Sequence, residues 1–174
     1  MTDKICYPAK RCTLCSRKGV VSIPRVIGDI LDIDVMLVGQ NPGYSPTGKP
    51  DTHIAFYGYN FTCDLIEKCI NGFNNLYFTN IIRCASTNKI TDDEVFECIT
   101  NFFCRELTFI RPKCVLCVGS VARNAIESVA AVSNQKFVME SVVHPGFLAR
   151  INASEKKINT YVNEFRQILA KYCV

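Results

Sequence analysis

The sequence has no apolar run longer than a strand, so a membrane-spanning helix of about 20 residues is not expected. Its first residues, MTDKICYPAKRC, lack an apolar core of signal-peptide length. A cytoplasmic or nuclear protein is therefore expected. There are no internal repeats and no low-complexity tracts. Neither sign of charge dominates: 20 Lys and Arg face 16 Asp and Glu, for a net charge of +4. That balance permits a polyanionic partner without requiring one. Basic residues are locally dense at Lys4, Lys10, Arg11, Arg17 and Lys18. The 174 residues suffice for one domain spanning 1–174, with little room for a second.

Cysteine is abundant instead. Eleven cysteines, an odd number with no secretion signal, point to reduced thiols or metal rather than a disulfide framework. Cys12 and Cys15 form a C-x-x-C pair on an irregular basic segment, a spacing at which two thiolates converge on one metal or cluster. Cys84 follows a predicted strand and Cys98 lies in the next predicted helix. Four thiolates suit a [4Fe–4S] cluster or a zinc ion, and spacing does not separate the two. Cys6 is a possible replacement ligand. Cys114 and Cys117 repeat the C-x-x-C spacing on a predicted strand. Positions i and i+3 of a strand face opposite ways, so core packing is expected there. Cys63, Cys69 and Cys104 are expected in helix cores, and Cys173 as a bystander.

Apolar runs at Val35–Val38, Leu76–Ile82, Cys114–Val118 and Lys136–Val143 read as four strands. Helical patterns occupy 60–70, the segment from Thr91 to before Pro112, Val121–Ala130, and the segment from about Ser154. Thr91 to Glu94 has the form of a capping box. Residues 40–59, rich in Gly, Pro, Tyr and Thr, read as a long and therefore functional loop. The alternation predicts an α/β fold, a three-layer αβα sandwich around a central four-stranded parallel sheet. Ligands of such folds sit at the carboxyl ends of the strands. Those ends carry Gln40-Asn41, Asn80, Gly119-Ser120 and His144-Pro145-Gly146.

Strand-GQNPG, strand-TN-x-x-x-C, strand-GS-x-A and strand-HPG, in that order, resemble the uracil-DNA glycosylase superfamily. The likeness runs from Cys12 to about Arg150. It is nearest to the iron–sulfur glycosylases of families 4 and 5, on Cys12-Thr-Leu-Cys15, Thr79-Asn80-Ile-Ile-Arg-Cys84, Cys98 and Arg111-Pro112-Lys113. The first motif departs from those families: GQNPG has Asn before Pro, as in the mismatch-specific and single-strand-selective groups. The fourth reads HPG where HPS is usual.

The resemblance implies a DNA glycosylase that flips uracil, or a related damaged base, out of single- or double-stranded DNA and hydrolyses its glycosidic bond. Such an enzyme starts base excision repair, needs no membrane, and is expected to be a monomer. It implies a [4Fe–4S] cluster on Cys12, Cys15, Cys84 and Cys98, with a structural role. Asn80 would read O4 and N3–H of the base, Phe56 would stack on it, and Tyr57 would stand near its C5. Gly39 lies at the same strand end. His144 would donate to O2 of the leaving base. Asn41 would hold the attacking water, with Gln40 contributing its backbone N–H. Pro42, Gly43 and Ser45 would approach the DNA backbone, and Gly119 and Ser120 would bind a phosphate through helix-start N–H groups. Phe147 and Leu148 would fill the gap left by the extruded base, and Arg150 would contact a phosphate. The alternatives are a catalytically weak binder of uracil-containing or modified DNA, and a glycosylase for hypoxanthine, xanthine, mismatched thymine or a hypermodified pyrimidine. A cluster-bearing interaction subunit is the reading from another class.

Overall fold

A computed structural model describes residues 12, 14–15, 21–42, 54–85, 89–132 and 136–173. The basic residues Lys4, Lys10, Arg11, Arg17 and Lys18, together with Cys6, Gly43, Ser45 and most of the predicted long loop, lie outside the described residues.

Five strands form one sheet in the order β1-β3-β2-β4-β5. They are β1 (Arg25–Ile27), β2 (Val35–Gly39), β3 (Leu76–Asn80), β4 (Cys114–Val118) and β5 (Val138–Val142). The four predicted strands are all present and mutually parallel. The expected strand count is corrected to five by β1, which pairs antiparallel with β3 at the sheet edge. Its three residues, between Pro24 and Gly28, are too few to show a period. An edge is also where a neighbouring proline is tolerated.

The helices are α1 (Phe61–Ile70), α2 (Asp92–Cys98), α3 (Cys104–Ile110), α4 (Ser120–Val132), α5 (Pro145–Arg150) and α6 (Glu155–Tyr172). A π-helical stretch, Ile99–Phe103, joins α2 to α3. Strand side chains alternate between two cores. Met36, Val38, Tyr77, Val115 and Cys117 meet Phe103 and Leu107 around α3, and Ala122 and Ile126 of α4. Val35, Leu37, Phe78, Cys114 and Leu116 meet Ile66 of α1 and Tyr161, Phe165 and Leu169 of α6. This is the expected αβα sandwich. Cys114 and Cys117 fall in opposite cores, and burial pushes each thiol up to about 12. They are protonated packing groups at neutral pH.

Local chemistry explains the helix starts. Thr91 Oγ1 accepts from the Glu94 N–H at 3.3 Å while Glu94 Oε2 accepts from the Thr91 N–H at 3.0 Å, the reciprocal box its sequence predicts. Asn60 Oδ1 accepts the Cys63 N–H at 3.0 Å and caps α1. No helix among the described residues is long and apolar enough to cross a membrane.

The connectivity positions the site. From β2 the chain runs through α1 to β3 on one side; from β4 it runs through α4 to β5 on the other. The strand order therefore reverses between β2 and β4, and in sheets of this kind the carboxyl ends at such a reversal are where ligands bind. Gln40-Asn41 leaves one side of that reversal and Gly119 the other.

Candidate active site

Gly39 and Asn80 are register partners at the ends of β2 and β3. The pairing continues past the strands: the Ile81 N–H donates to the Gly39 carbonyl at 2.9 Å and the Ile82 N–H to the Gln40 carbonyl at 2.8 Å. Both exits are thus held against each other. A Cβ built on Gly39 would fall 2.5 Å from Asn80 Oδ1 and 2.7 Å from Phe56 Cζ. Glycine is needed because an amide and an aromatic edge converge on its Cα. Asn80 is only 4 % exposed, and its side chain makes no hydrogen bond among the described residues. A nearly buried amide at a strand end without a protein partner is available to a ligand.

Phe56 reaches this point at a conformational cost. Its φ of 55° lies in the left-handed region, which a bulky residue rarely adopts. The turn is held by the Ala55 N–H donating to the Ile23 carbonyl at 2.9 Å and the Tyr57 N–H to the Ile54 carbonyl at 3.2 Å. The ring stands 6.3 Å from that of Phe78, inclined at 55°, within the range of a favourable aromatic pair. The expected stacking residue and base-reading residue are therefore brought together.

Asn41 is half-buried and donates its Nδ2 proton to the Pro42 carbonyl at 2.9 Å. A carbonyl only accepts, so the amide nitrogen must face it. Oδ1 is left as an acceptor. Pro42 is buried and Gln40 half-buried.

His144 leaves β5 and caps α5, with Pro145 at the first helical position. Its Nδ1 accepts the Gly146 N–H at 3.0 Å, so in the neutral ring the proton sits on Nε2, which is a donor. Burial, then the nearby Arg150 charge, hold its pKa below the usual 6.5. Gly119, at φ +97°, sits against it: an added Cβ would lie 3.1 Å from the His144 Cβ. Glycine serves both the left-handed backbone and the close approach. The His144 backbone and Cβ are thereby held against the end of β4, while the ring packs over Gly146.

The structure narrows several expectations. The Gly119 N–H donates to the Val142 carbonyl at 2.9 Å, so it is not free for a phosphate; extending the β4–β5 ladder consumes it. Ser120 is exposed at the first turn of α4. Leu148 is 8 % exposed and belongs to the core against α1 and α6. It is not presented as a wedge, because α5 turns it inward while leaving Phe147 exposed. Arg150 is exposed close enough to His144 to depress its pKa. Tyr57 is 56 % exposed, its ring 5.1 Å from the Arg25 guanidinium.

The cysteines expected as ligands are partly gathered. Burial raises the Cys98 thiol, and neighbouring Cys15 and Cys12 add to the rise; the Arg83 backbone N–H bonds to the sulfur and opposes it. Cys12, Cys15 and Cys98 thus share one neighbourhood, with Cys84 next in sequence to Arg83. Cys84 forms an isolated bridge with Val21. Among the described residues no three metal-binding side chains are grouped to hold an ion. The donor set fits a soft metal or an iron–sulfur cluster by chemistry.

Sequence reasoning missed a buried network behind Asn80. Thr79 Oγ1 donates to Glu106 Oε2 at 2.9 Å, and Arg83 Nη1 bonds to the same hydroxyl. Arg83 Nη2 lies 2.6 Å from Glu106 Oε2, close in charge but off the hydrogen-bond line, since neither it nor Nε has a hydrogen-bond partner. One signal was available: Arg83 is the single charge between Leu76 and Cys84. Arg25, which also lies 5.1 Å from the Phe78 ring, sits on the strand that sequence did not reveal.

No curated protein matches the chain. The family model of the uracil DNA glycosylase superfamily matches residues 26–170, a stretch holding both the Asn80–Phe56–Gly39 cluster and the His144 cap. The chain belongs to the uracil-DNA glycosylase superfamily.

Proposed function

We propose that this protein removes uracil from DNA by hydrolysing the bond between C1′ of deoxyribose and N1 of the base. Membership of the superfamily supports a DNA glycosylase in general; the choice of uracil is our reading. The observation that carries it is the convergence of the nearly buried Asn80 amide and the Phe56 ring on Gly39.

On this reading Asn80 donates to O4 and accepts from N3–H, a pattern that cytosine reverses. Phe56 stacks on the base. The Nε2–H of neutral His144 donates to O2 as negative charge develops there. Asn41 Oδ1 accepts a hydrogen bond from the attacking water and aims its oxygen at C1′, with Gln40 supporting it. An amide does not act as a strong base at neutral pH, so the bond to N1 breaks well ahead of attack. The new C1′–O bond replaces C1′–N1, the base leaves as its N1 anion, and the water proton passes to solvent. Pro42, Ser120, Phe147 and Arg150 are placed by this reading against the DNA. The protein acts where DNA is kept, in cytoplasm or nucleus, as a monomer.

The test is a uracil-containing oligonucleotide treated with the protein and then with alkali. Strand cleavage is expected for the wild type. Asn80→Ala is expected to lower single-turnover base release by about 100-fold, the loss of one bidentate contact of about 1–3 kcal/mol plus its positioning. Gly39→Ala is expected to match it, because the new methyl displaces both Asn80 and Phe56. Cleavage of another altered base in preference to uracil would overturn the substrate assignment.

We also propose that Cys12, Cys15, Cys84 and Cys98 hold a [4Fe–4S] cluster, with zinc as the alternative occupant. A cluster there supplies a covalent tie between the N-terminal segment and the sheet edge. Protein purified without oxygen should be brown, absorbing near ~400 nm. A colourless protein containing stoichiometric zinc would replace the cluster with zinc.

A further inference from the structure

Large aromatic side chains are ordinarily at least half-buried, yet three within five residues stand out of this fold. Tyr59 is fully exposed, Tyr57 is mostly so, and Phe61 is half-exposed. They begin one residue after Phe56, whose ring edge meets Asn80 over Gly39. The exposed group thus follows directly in the chain on the residue whose ring meets Asn80. Contiguous exposed apolar surface of this kind marks a binding face.

The segment is held in shape. The Arg25 guanidinium lies 5.1 Å from the Tyr57 ring centroid and is itself ion-paired to Glu67 of α1. Asn60 is fixed by its cap on α1 at 3.0 Å. The chain bends at Gly58, whose φ of 154° favours glycine, then extends at Asn60, with φ −155° and ψ 162°, before Phe61 opens α1.

Charge decides which part of a nucleic acid this face takes. Arg25 is paired to Glu67, and Asp64 sits in the first turn of α1. The local field therefore gives little attraction to phosphates. What the face offers is ring surface, which binds base faces regardless of sequence. In a duplex those faces are already stacked and hidden; in a single strand they are free. We infer that Tyr57, Tyr59 and Phe61 form a stacking platform for unpaired bases flanking the extruded one, which makes single-stranded DNA the preferred form of substrate. This rests on the glycosylase reading for the word substrate, but the platform itself does not.

The test is binding of a short fluorescein-labelled oligo(dT), an abasic strand of equal length, and a duplex, with Tyr59→Ala and Tyr59→Phe compared with wild type. Tyr59 is solvent-exposed, so both variants should fold. Tyr59→Ala is expected to weaken oligo(dT) about tenfold and to leave the abasic strand and the duplex unchanged. Tyr59→Phe should bind like wild type. An unchanged oligo(dT) affinity, or an equal loss on the abasic strand, overturns the platform and points to a protein partner for this face. Uracil release measured on the same samples separates the two claims. Release with Tyr59-independent oligo(dT) binding sinks the platform alone. Tyr59-dependent binding without release of any base sinks the glycosylase reading alone.

Discussion

Glu106→Ala is expected to destabilise the fold by about 3–5 kcal/mol, read as a lowered urea midpoint. For a domain whose total stability is about 5–15 kcal/mol, that is a large fraction. The residue is 2 % exposed and Arg83 is 1 % exposed. Removing the carboxylate leaves the Arg83 guanidinium buried with only the Thr79 hydroxyl as partner among the described residues. The loss is one of an uncompensated charge rather than of the pair's attraction, and this sets the control. Arg83→Met combined with Glu106→Leu removes both charges and is expected to recover most of the stability. If Glu106→Ala costs less than about 1 kcal/mol, water or another group must satisfy Arg83, and the network is not a closed one. The network lies one residue from Asn80 and one from Cys84. The rescued double variant should therefore fold, yet release uracil more slowly, because Thr79 no longer has the carboxylate that holds the end of β3.

His144→Ala is expected to lower base release by about 10²–10³-fold, the usual cost of losing one donor to a developing oxyanion. The same change removes a helix cap, worth about 0.5–2 kcal/mol, so lost activity alone would be ambiguous. His144→Asn separates the two, since asparagine can cap α5 and keep the fold while losing the donor geometry. The pH profile adds a second signature. Burial and Arg150 lower the imidazole pKa from 6.5. The neutral tautomer, with Nδ1 accepting from Gly146 and the proton on Nε2, should persist below that value. Base release is expected to hold as pH falls through 6.5 and to decline only nearer the lowered pKa, where protonation of Nδ1 breaks the cap. Arg150→Ala removes the repelling charge and should move that decline to higher pH. Stability follows the same sign. The folded protein binds fewer protons than the unfolded chain between the lowered pKa and 6.5, so this contribution is full above 6.5 and is lost as pH falls. A rate that drops at the ordinary imidazole pKa, with no response to Arg150→Ala, would remove His144 from the reaction.

The site divides into parts that were legible and parts that were not. The capping box at Thr91 and Glu94 could be read because both partners lie within one helical turn. Opposed faces for Cys114 and Cys117 followed from strand period alone. The inward turn of Leu148 did not, because α5 has six residues and its one strong start signal, Pro145, follows a histidine that caps through its ring. Nor did the engagement of the Gly119 N–H with Val142, a bond between residues 23 positions apart (142 − 119) in adjacent strands.

By itself the sequence determined the order and type of the four parallel strands and the longer helices, though not β1 or α5, and that its polar residues gather at strand ends, since periodicity and capping act over a few neighbours. Only the tertiary structure decided which ends meet. Register between β2 and β3 sets Asn80 beside Gly39, the left-handed turn at Phe56 brings its ring to the same glycine, and burial pairs Arg83 with Glu106. Those are contacts between residues distant along the chain, fixed by sheet order and by the cost of burying a polar group without a partner.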